Sequence, residues 1–582
     1  MNGKNRRILS ILLAASSCTT ALFVPFFAVG CGYFPNSSSS SDKPIESVDN
    51  ARTQLFVFNT DFGVDSGWLM HAKTRFESAH ASDTCWEQGK TGVQVVVRNT
   101  SRTAQEEVDE ILENREEVYF TQQTDYRNLL KKGLLANLTE TVTGPLLGES
   151  RSIEQKLTEA QREYFGITEA ETDGMANGSE QTAKYYALPY AYSHFGIVYN
   201  VELFDKMGYY FAAEPQENGS PFISTENKKK SLGADGKENT ADDGLPTTYS
   251  EFFTLCDYIL ENDQTPLTFG GENYEEYLTW LTDALAAEEN GYAQTVLQYT
   301  LDGVATNLGS IRDAKFKQDE TDLTITEENG YELARSAGNY YALEFTKKLT
   351  GQTKYHDQSA FKRYRSQAQA RKDFIWRNAD GETSDIAMLL DGSWWESGAT
   401  EAFSQLTEKI GERGGKMHRQ FVWMPLPTAT AQTEKESVLV DCLGSMAFIK
   451  SNVAEWKKPL AEEFLRFIYS DEELRAYTRE TGTLSALDYT LQASDVGKLS
   501  LFGRSLLAAR EDGKTVYPYS TAKTYVKNER FFEVTQKWRA SFVFAAAEQY
   551  PIDAFKNRNL SVVDYFNGMF KYRRETWETL EK

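Results

Sequence analysis

Apolar positions change their period repeatedly along the chain, and the changes lay out its elements. LFVF, from Leu55 to Phe58, reads as a short buried strand. Trp68, Leu69, Ala72 and Phe76 then fall on one face of a helix. VQVVV, from Val93 to Val97, and EVYFT, from Glu117 to Thr121, read as further strands. Thr124 is placed to cap a helix in DYRNLLKKGLL that ends around Gly133. Strand–helix–strand alternation predicts a parallel sheet, and such sheets bind ligands beyond the carboxyl ends of their strands. That rule puts Asn59, Thr60 and Asp61 at one edge of a cleft and Thr121, Gln122 and Gln123 at another. Asp61 also suits a cap or turn, where aspartate is favoured.

The stretch YALPYAYSHFGIVYN, from Tyr186 to Asn200, organises the rest. Pro189 excludes regular helix and biases Leu188 toward extended backbone. Phe195 to Tyr199 is apolar enough for a buried strand, and VELFDKMG reads as a short helix ending at Gly208. An extended aromatic segment between two α/β units is a candidate hinge, and an ordinary buried strand fits the same pattern.

Farther on, helical periodicity covers TTYSEFFTLCDYILEN, ENYEEYLTWLTDALAA and residues 330–350 and 360–376. Two stretches lack it, 209–248 and about 300–330, and read as insertions. AMLL is a short buried strand that turns at DGSWW. VDCLGSMAFIK precedes a helix with Leu460, Phe464 and Phe467 or Ile468 inward, and Ser470 with Glu473 makes a capping-box pattern.

The segment PYAYSHFGIVYNVELFDKMG resembles the hinge of family 1 extracellular solute-binding proteins of carbohydrate ABC importers. DIAMLLDGSWWESGA and VDCLGSMAFIKSNVAEWKKPLAEEFLRFIYSDEELRAYTRETG resemble two more of that family's segments. The resemblance runs over most of the chain from about residue 54. It implies an α/β, two-lobed periplasmic-binding-protein-like fold of type II, with the ligand cleft between lobes. It implies a first lobe at 52–190 plus 440–495 and a second at 194–437 plus 496–582. Asp61, Gln122, Tyr190, Tyr192 and Ser193 would then lie near the ligand. Trp394 or Trp395 would offer an aromatic face to a sugar ring, and both could instead be core. Neighbours in extended backbone point opposite ways, so one ring is expected at the ligand and the other inward, with Trp395 favoured as the platform.

The N-terminus reads as a targeting segment. Lys4, Arg6 and Arg7 precede an apolar run that ends in AVGC at Cys31. That ending resembles a bacterial lipobox, which makes residues 1–30 a signal peptide and Cys31 the lipid attachment site. A membrane-spanning helix is the other reading of so long an apolar run. The serine-rich residues 31–51 read as a tether. The expected location is the extracellular face of the cell membrane, or the periplasm where an outer membrane exists.

Charge narrows the partners. The 582 residues carry a formal −23, which becomes −26 without residues 1–30. This argues against nucleic acid and against a surface lying on anionic lipid. A carbohydrate, the permease subunits and the membrane lipid are the partners the resemblance implies, for a monomer. Cys85, Cys256 and Cys442 give no disulfide framework. The histidines make no paired zinc spacing, and no GxSxG elbow or P-loop occurs. No cofactor is required. Asp235, Asn239, Asp242 and Asp243, in GADGKENTADDG, could ligate Ca²⁺ or form a solvated turn. A sensor lipoprotein with the same fold and a secreted glycoside hydrolase are the alternative functions.

Overall fold

The computed structural model describes residues 47–580, apart from 62, 124–125, 168–182, 327, 377–383, 432–435, 519–540, 542 and 544–549. Thr124, Cys31 and residues 31–46 of the tether lie outside the described residues.

Two sheets organise the chain. The first has five strands in the order Val93–Thr100, Thr53–Thr60, Val118–Thr121, Met446–Ile449, Leu188–Pro189. Its first three strands are parallel, as the strand–helix–strand pattern requires. Met446–Ile449 then runs antiparallel to both of its neighbours. The second sheet has four strands in the order Phe421–Met424, Phe195–Asn200, Ile386–Gly392, Thr265–Thr268. Phe195–Asn200 is antiparallel to both neighbours, and Ile386–Gly392 is parallel to Thr265–Thr268.

Helices cover the sheets, so the strands read as continuous apolar runs instead of alternating ones. Gly67–Ala79 buries Trp68, Leu69, Ala72 and Phe76. Lys458–Ile468 buries Leu460, Phe464, Leu465 and Ile468, and the Phe76 and Phe464 rings meet edge to face at 5.0 Å. In the second half, Asn200 caps Val201–Met207 by accepting from the Leu203 N–H. Gly208 ends that helix at φ 70°, a left-handed conformation that costs glycine little. The helix Tyr274–Thr300 packs along the second sheet and the helix Ala337–Gly351.

Several local expectations are corrected. Ser470 accepts from the Glu473 N–H, but the Glu473 carboxylate turns to Arg75 at 2.7 Å, so the capping box is half made. A stronger charged partner has won over the weaker backbone bond. The helix expected at 330–350 breaks at Ser336 into a 3₁₀ turn, Gly330–Arg335, and the helix Ala337–Gly351. The helix expected at 360–376 is confined to Gln367–Trp376. Residues 300–330 are paired strands rather than an open loop: Gly303–Ala305 with Leu323–Ile325, and Gly309–Arg312 with Lys315–Gln318.

Among the described residues the chain passes between the sheets at 190–194, 441–445 and 482–500. The first passage lies between the other two and bonds to both. Ser193 Oγ donates to Asp441 Oδ1 at 2.6 Å, and the Leu443 N–H donates to Ser193 Oγ at 3.0 Å. Ser445 Oγ donates to the Ala191 carbonyl at 2.7 Å. On the other side, the Tyr192 N–H donates to the Leu484 carbonyl at 3.0 Å, and Ser485 Oγ donates to the Tyr190 carbonyl at 3.0 Å. No described helix is long and apolar enough to cross a membrane.

Candidate functional site

The first sheet brings three polar groups to its carboxyl edge. Asp61 follows the strand Thr53–Thr60; its N–H donates to the Thr100 carbonyl at 2.7 Å and its side chain is exposed. Gln122 follows Val118–Thr121, and its Nε2 donates to the Tyr190 hydroxyl at 3.1 Å. Tyr190 stacks on Trp68 at 6.0 Å and meets Phe120 edge-on at 5.4 Å. Burial holds its hydroxyl well above the usual phenol range; the Gln122 bond opposes this and the Asp61 charge adds to it. Asp61, Gln122 and Tyr190 are therefore brought together. Asn59 and Thr121 turn inward instead: Asn59 Nδ2 donates to Asn99 Oδ1 at 2.9 Å, and Thr121 Oγ1 accepts from the Ala104 N–H at 3.0 Å.

Tyr192 and Ser193 belong to the passage and are buried there. The Ser193 hydroxyl is used by Asp441 and Leu443, as given above. The Tyr192 hydroxyl bonds Thr515 Oγ1, and the Arg510 guanidinium lies 5.2 Å from the ring centre. A residue in an extended segment between two others has its polar atoms claimed by its neighbours. His194, also buried, has its ring edge-on to Trp423 at 4.8 Å, and burial lowers it to about 3.

The second sheet contributes the turn after Ile386–Gly392. Neighbouring tryptophans do point apart here, and both are buried. Trp395 is 0% exposed and packs against Phe374, Phe403, Phe421 and Phe502 at 5.2–6.0 Å, the core of the second lobe. Its surroundings leave no face for a ligand. Trp394 points the other way, toward Trp280 at 6.1 Å and toward Gly63 of the first lobe. A Cβ on Gly63 would stand 3.2 Å from the Trp394 ring, and φ there is 76°, so the loop is glycine for both reasons. Trp394 is 1% exposed in this arrangement, because the first lobe covers it. The Asp65 N–H donates to Ser397 Oγ at 3.1 Å across the same seam.

Sequence reasoning missed the roles of the Arg371–Asp391 pair and of three residues of the helix Tyr274–Thr300. Arg371 and Asp391 form a buried two-pronged pair, at 2.8 and 3.1 Å. Tyr277, on the helix Tyr274–Thr300, is buried with its hydroxyl held well above the phenol range by burial and by the Asp391 charge. Trp280, one turn on, is half-buried against Phe195, Tyr277 and Trp394 and keeps an accessible part. Asp283, also half-buried and a turn beyond, accepts from Ser541 Oγ at 2.8 Å and is raised to about 7 by burial. The i, i+3, i+6 spacing of Tyr277, Trp280 and Asp283 was the signal available in the sequence.

The acidic turn is closed by its own bonds. Asp242 Oδ2 accepts from the Ala234 and Asp235 N–H groups at 2.6 and 3.0 Å, and Asp243 Oδ2 accepts from the Asn239 N–H at 2.8 Å. Asp235 Oδ1 accepts from the Lys237 N–H at 2.8 Å. Among the described residues no cluster of three or more His, Cys, Asp or Glu side chains is set to hold a metal.

The fold is that of two-lobed, periplasmic-binding-like proteins. The chain is similar to a chitin oligosaccharide binding protein, with 15% identity, TM-score 0.50 and coverage of 88% of this chain and 95% of the other. It is also similar to the solute-binding protein RafE in complex with raffinose, with 13% identity, TM-score 0.52 and coverage of 90% and 100%. No family model matches the chain, and no curated protein matches it.

Proposed function

We propose that this protein captures a sugar or oligosaccharide between its two lobes and hands it to an ABC importer. The observation that carries the reading is that Trp394 of the second lobe packs on Gly63, two residues from Asp61 of the first lobe's polar edge. Asp61, Gln122 and Tyr190 offer a polar edge on the first lobe. Trp394 and Trp280 offer aromatic faces on the second. A sugar ring has an apolar C–H face and a hydroxyl rim, and this pairing of surfaces suits both. The similar structures, a chitin oligosaccharide binding protein and a complex with raffinose, support the same class. In this reading Cys31 carries the lipid that holds the protein outside the cell, a two-subunit permease with a separate ATPase is the partner, and no bond of the solute is broken.

A thermal-shift screen of the protein over a glycan panel, with raffinose and chitin oligosaccharides included, tests this. Binding to the native state raises the melting temperature by mass action. The expected result is a concentration-dependent rise with at least one glycan and no cleavage products on prolonged incubation. Products would move the protein to the hydrolases, and a panel without any shift would remove the sugar reading.

A further inference from the structure

Next to Trp395 the second lobe carries a buried acid that solute capture does not use. Glu396 is 2% exposed. Its Oε2 accepts from Ser500 Oγ at 2.8 Å. The same oxygen lies against Gly482, where a Cβ would stand 2.8 Å from it. Gly482 is the left-handed C-cap of the helix Asp471–Thr481, which packs on the first lobe's helix Gly67–Ala79. The turn 394–398 therefore touches the first lobe twice: through Trp394, Ser397 and Gly398 at the 63–65 loop, and through Glu396 at the end of this helix.

That position suits a neutral acid and not a carboxylate. The C-terminus at Gly482 presents carbonyl oxygens and a partial negative charge that repels an anion, while Ser500, the N-cap of the helix Leu501–Asp512, sets a partial positive charge on the other side of the same oxygen, so burial decides. A buried carboxylate with one hydroxyl partner is poorly compensated for its lost hydration. The surrounding charges are mostly committed elsewhere. Arg371 pairs with Asp391, Arg479 with Asp495, and Glu480 with Arg75 and His71. Asp65 Oδ1 accepts from the Gly67 N–H. Among the described residues Lys416 acts on Glu396 with an opposing charge, and burial outweighs it, so the carboxyl rises from 4.5 to about 7.

We propose that Glu396 is a proton-linked latch: the closed lobes hold it as the neutral acid, and its ionisation weakens the seam. This rests on the reading that the lobes part to admit solute. The sign follows from which form binds the proton. Closed protein keeps it up to about pH 7, whereas an opened, hydrated Glu396 releases it near 4.5. Between those values closure takes up a proton, so closure is favoured as pH falls and opposed above 7.

The test is deuterium exchange on the full chain, corrected for the intrinsic pH dependence and read on peptides covering 61–67 and 393–398. Between pH 5.5 and 8.5, opening should rise roughly 30-fold, the ratio linkage gives for an acid moving between 4.5 and about 7. Glu396→Gln keeps the shape without the charge and should lose the pH response. Lys416→Met, on a half-exposed side chain, removes the opposing charge and should move the transition to higher pH. The proposal is overturned by pH-independent exchange in the natural protein or by an unchanged response in Glu396→Gln. Should the Gln variant not fold, an unmoved transition in Lys416→Met overturns it equally. No glycan enters the experiment, so an unresponsive glycan panel with a pH-gated seam would sink the sugar reading alone, and the reverse result the latch alone.

Discussion

Replacing Trp395 by alanine separates core from ligand surface. The ring is 0% exposed and ringed by Phe374, Phe403, Phe421 and Phe502. A tryptophan buries about 200 Å², worth roughly 5 kcal/mol at about 25 cal/mol per Å². Alanine keeps part of that, while the cavity adds a term, so the expected cost is about 3–5 kcal/mol. At about 2–4 °C per kcal/mol for a unit of 150–250 residues, the melting temperature should fall by roughly 6–20 °C. The assay is a thermal melt followed by circular dichroism, with calorimetric titration of a glycan that raised the melting temperature of the natural protein. Affinity measured well below the melt should stay within about twofold. Trp394→Ala should show the opposite balance, losing about 1–3 kcal/mol of affinity as aromatic anchors do, with the smaller fall in melting temperature. A Trp395→Ala protein that melts normally and binds weakly would refute the assignment of the two rings.

Trp280→Ala should weaken the same glycan by about 1–3 kcal/mol in calorimetry, with a melting change smaller than that of Trp395→Ala. Ser193→Ala removes a donor from Asp441, which burial already raises to about 6. The folded protein then holds that proton more tightly than the unfolded chain, so stability is lost as pH rises through the folded value; paired melts should show a larger loss at pH 7.5 than at pH 5. Arg371→Met strands the buried Asp391 carboxylate and should cost about 3–5 kcal/mol in denaturant unfolding, with most of it recovered in the Arg371→Met/Asp391→Leu double variant. Cys31→Ala should leave the chain unprocessed or released in membrane fractionation, whereas mass spectrometry of the natural protein should find lipid on Cys31.

The strands that are short apolar runs bounded by a polar turn were legible, whereas Thr265–Thr268 and Phe421–Met424 were not read from the sequence. Leu55 to Phe58, Val93 to Val97 and Phe195 to Tyr199 all fall inside strands. Asp61 and Gln122 were legible for a topological reason, since a parallel sheet offers its carboxyl edge whatever the residues are. The bonding of Tyr192 and Ser193 was not legible, because sequence does not reveal which segment will lie beside them. Ser193 looks like any exposed serine until Asp441, far along the chain, arrives opposite it. The choice between Trp394 and Trp395 could not come from alternation alone, because that rule says the rings diverge without saying which side is core. The Arg371–Asp391 pair was invisible for the same reason as Ser193, and Trp280 was hidden inside a helix whose other apolar residues are core.

The bonds of the passages and those of the seam differ in a way that bears on mechanism. The passages at 190–194 and 441–445 are tied by Ser193, Asp441, Ser445 and main-chain groups. These bonds join segments that would turn together, so they need not break when the lobes part. The seam is held differently, by the Asp65–Ser397 bond, the packing of Trp394 on Gly63, and Glu396 against Gly482. A single neutral hydrogen bond contributes only about 1 kcal/mol net, and across the seam Trp394 lies against Gly63. A ligand that covers Trp394 in place of Gly63 would need only a few kcal/mol of differential affinity to shift the balance between open and closed forms.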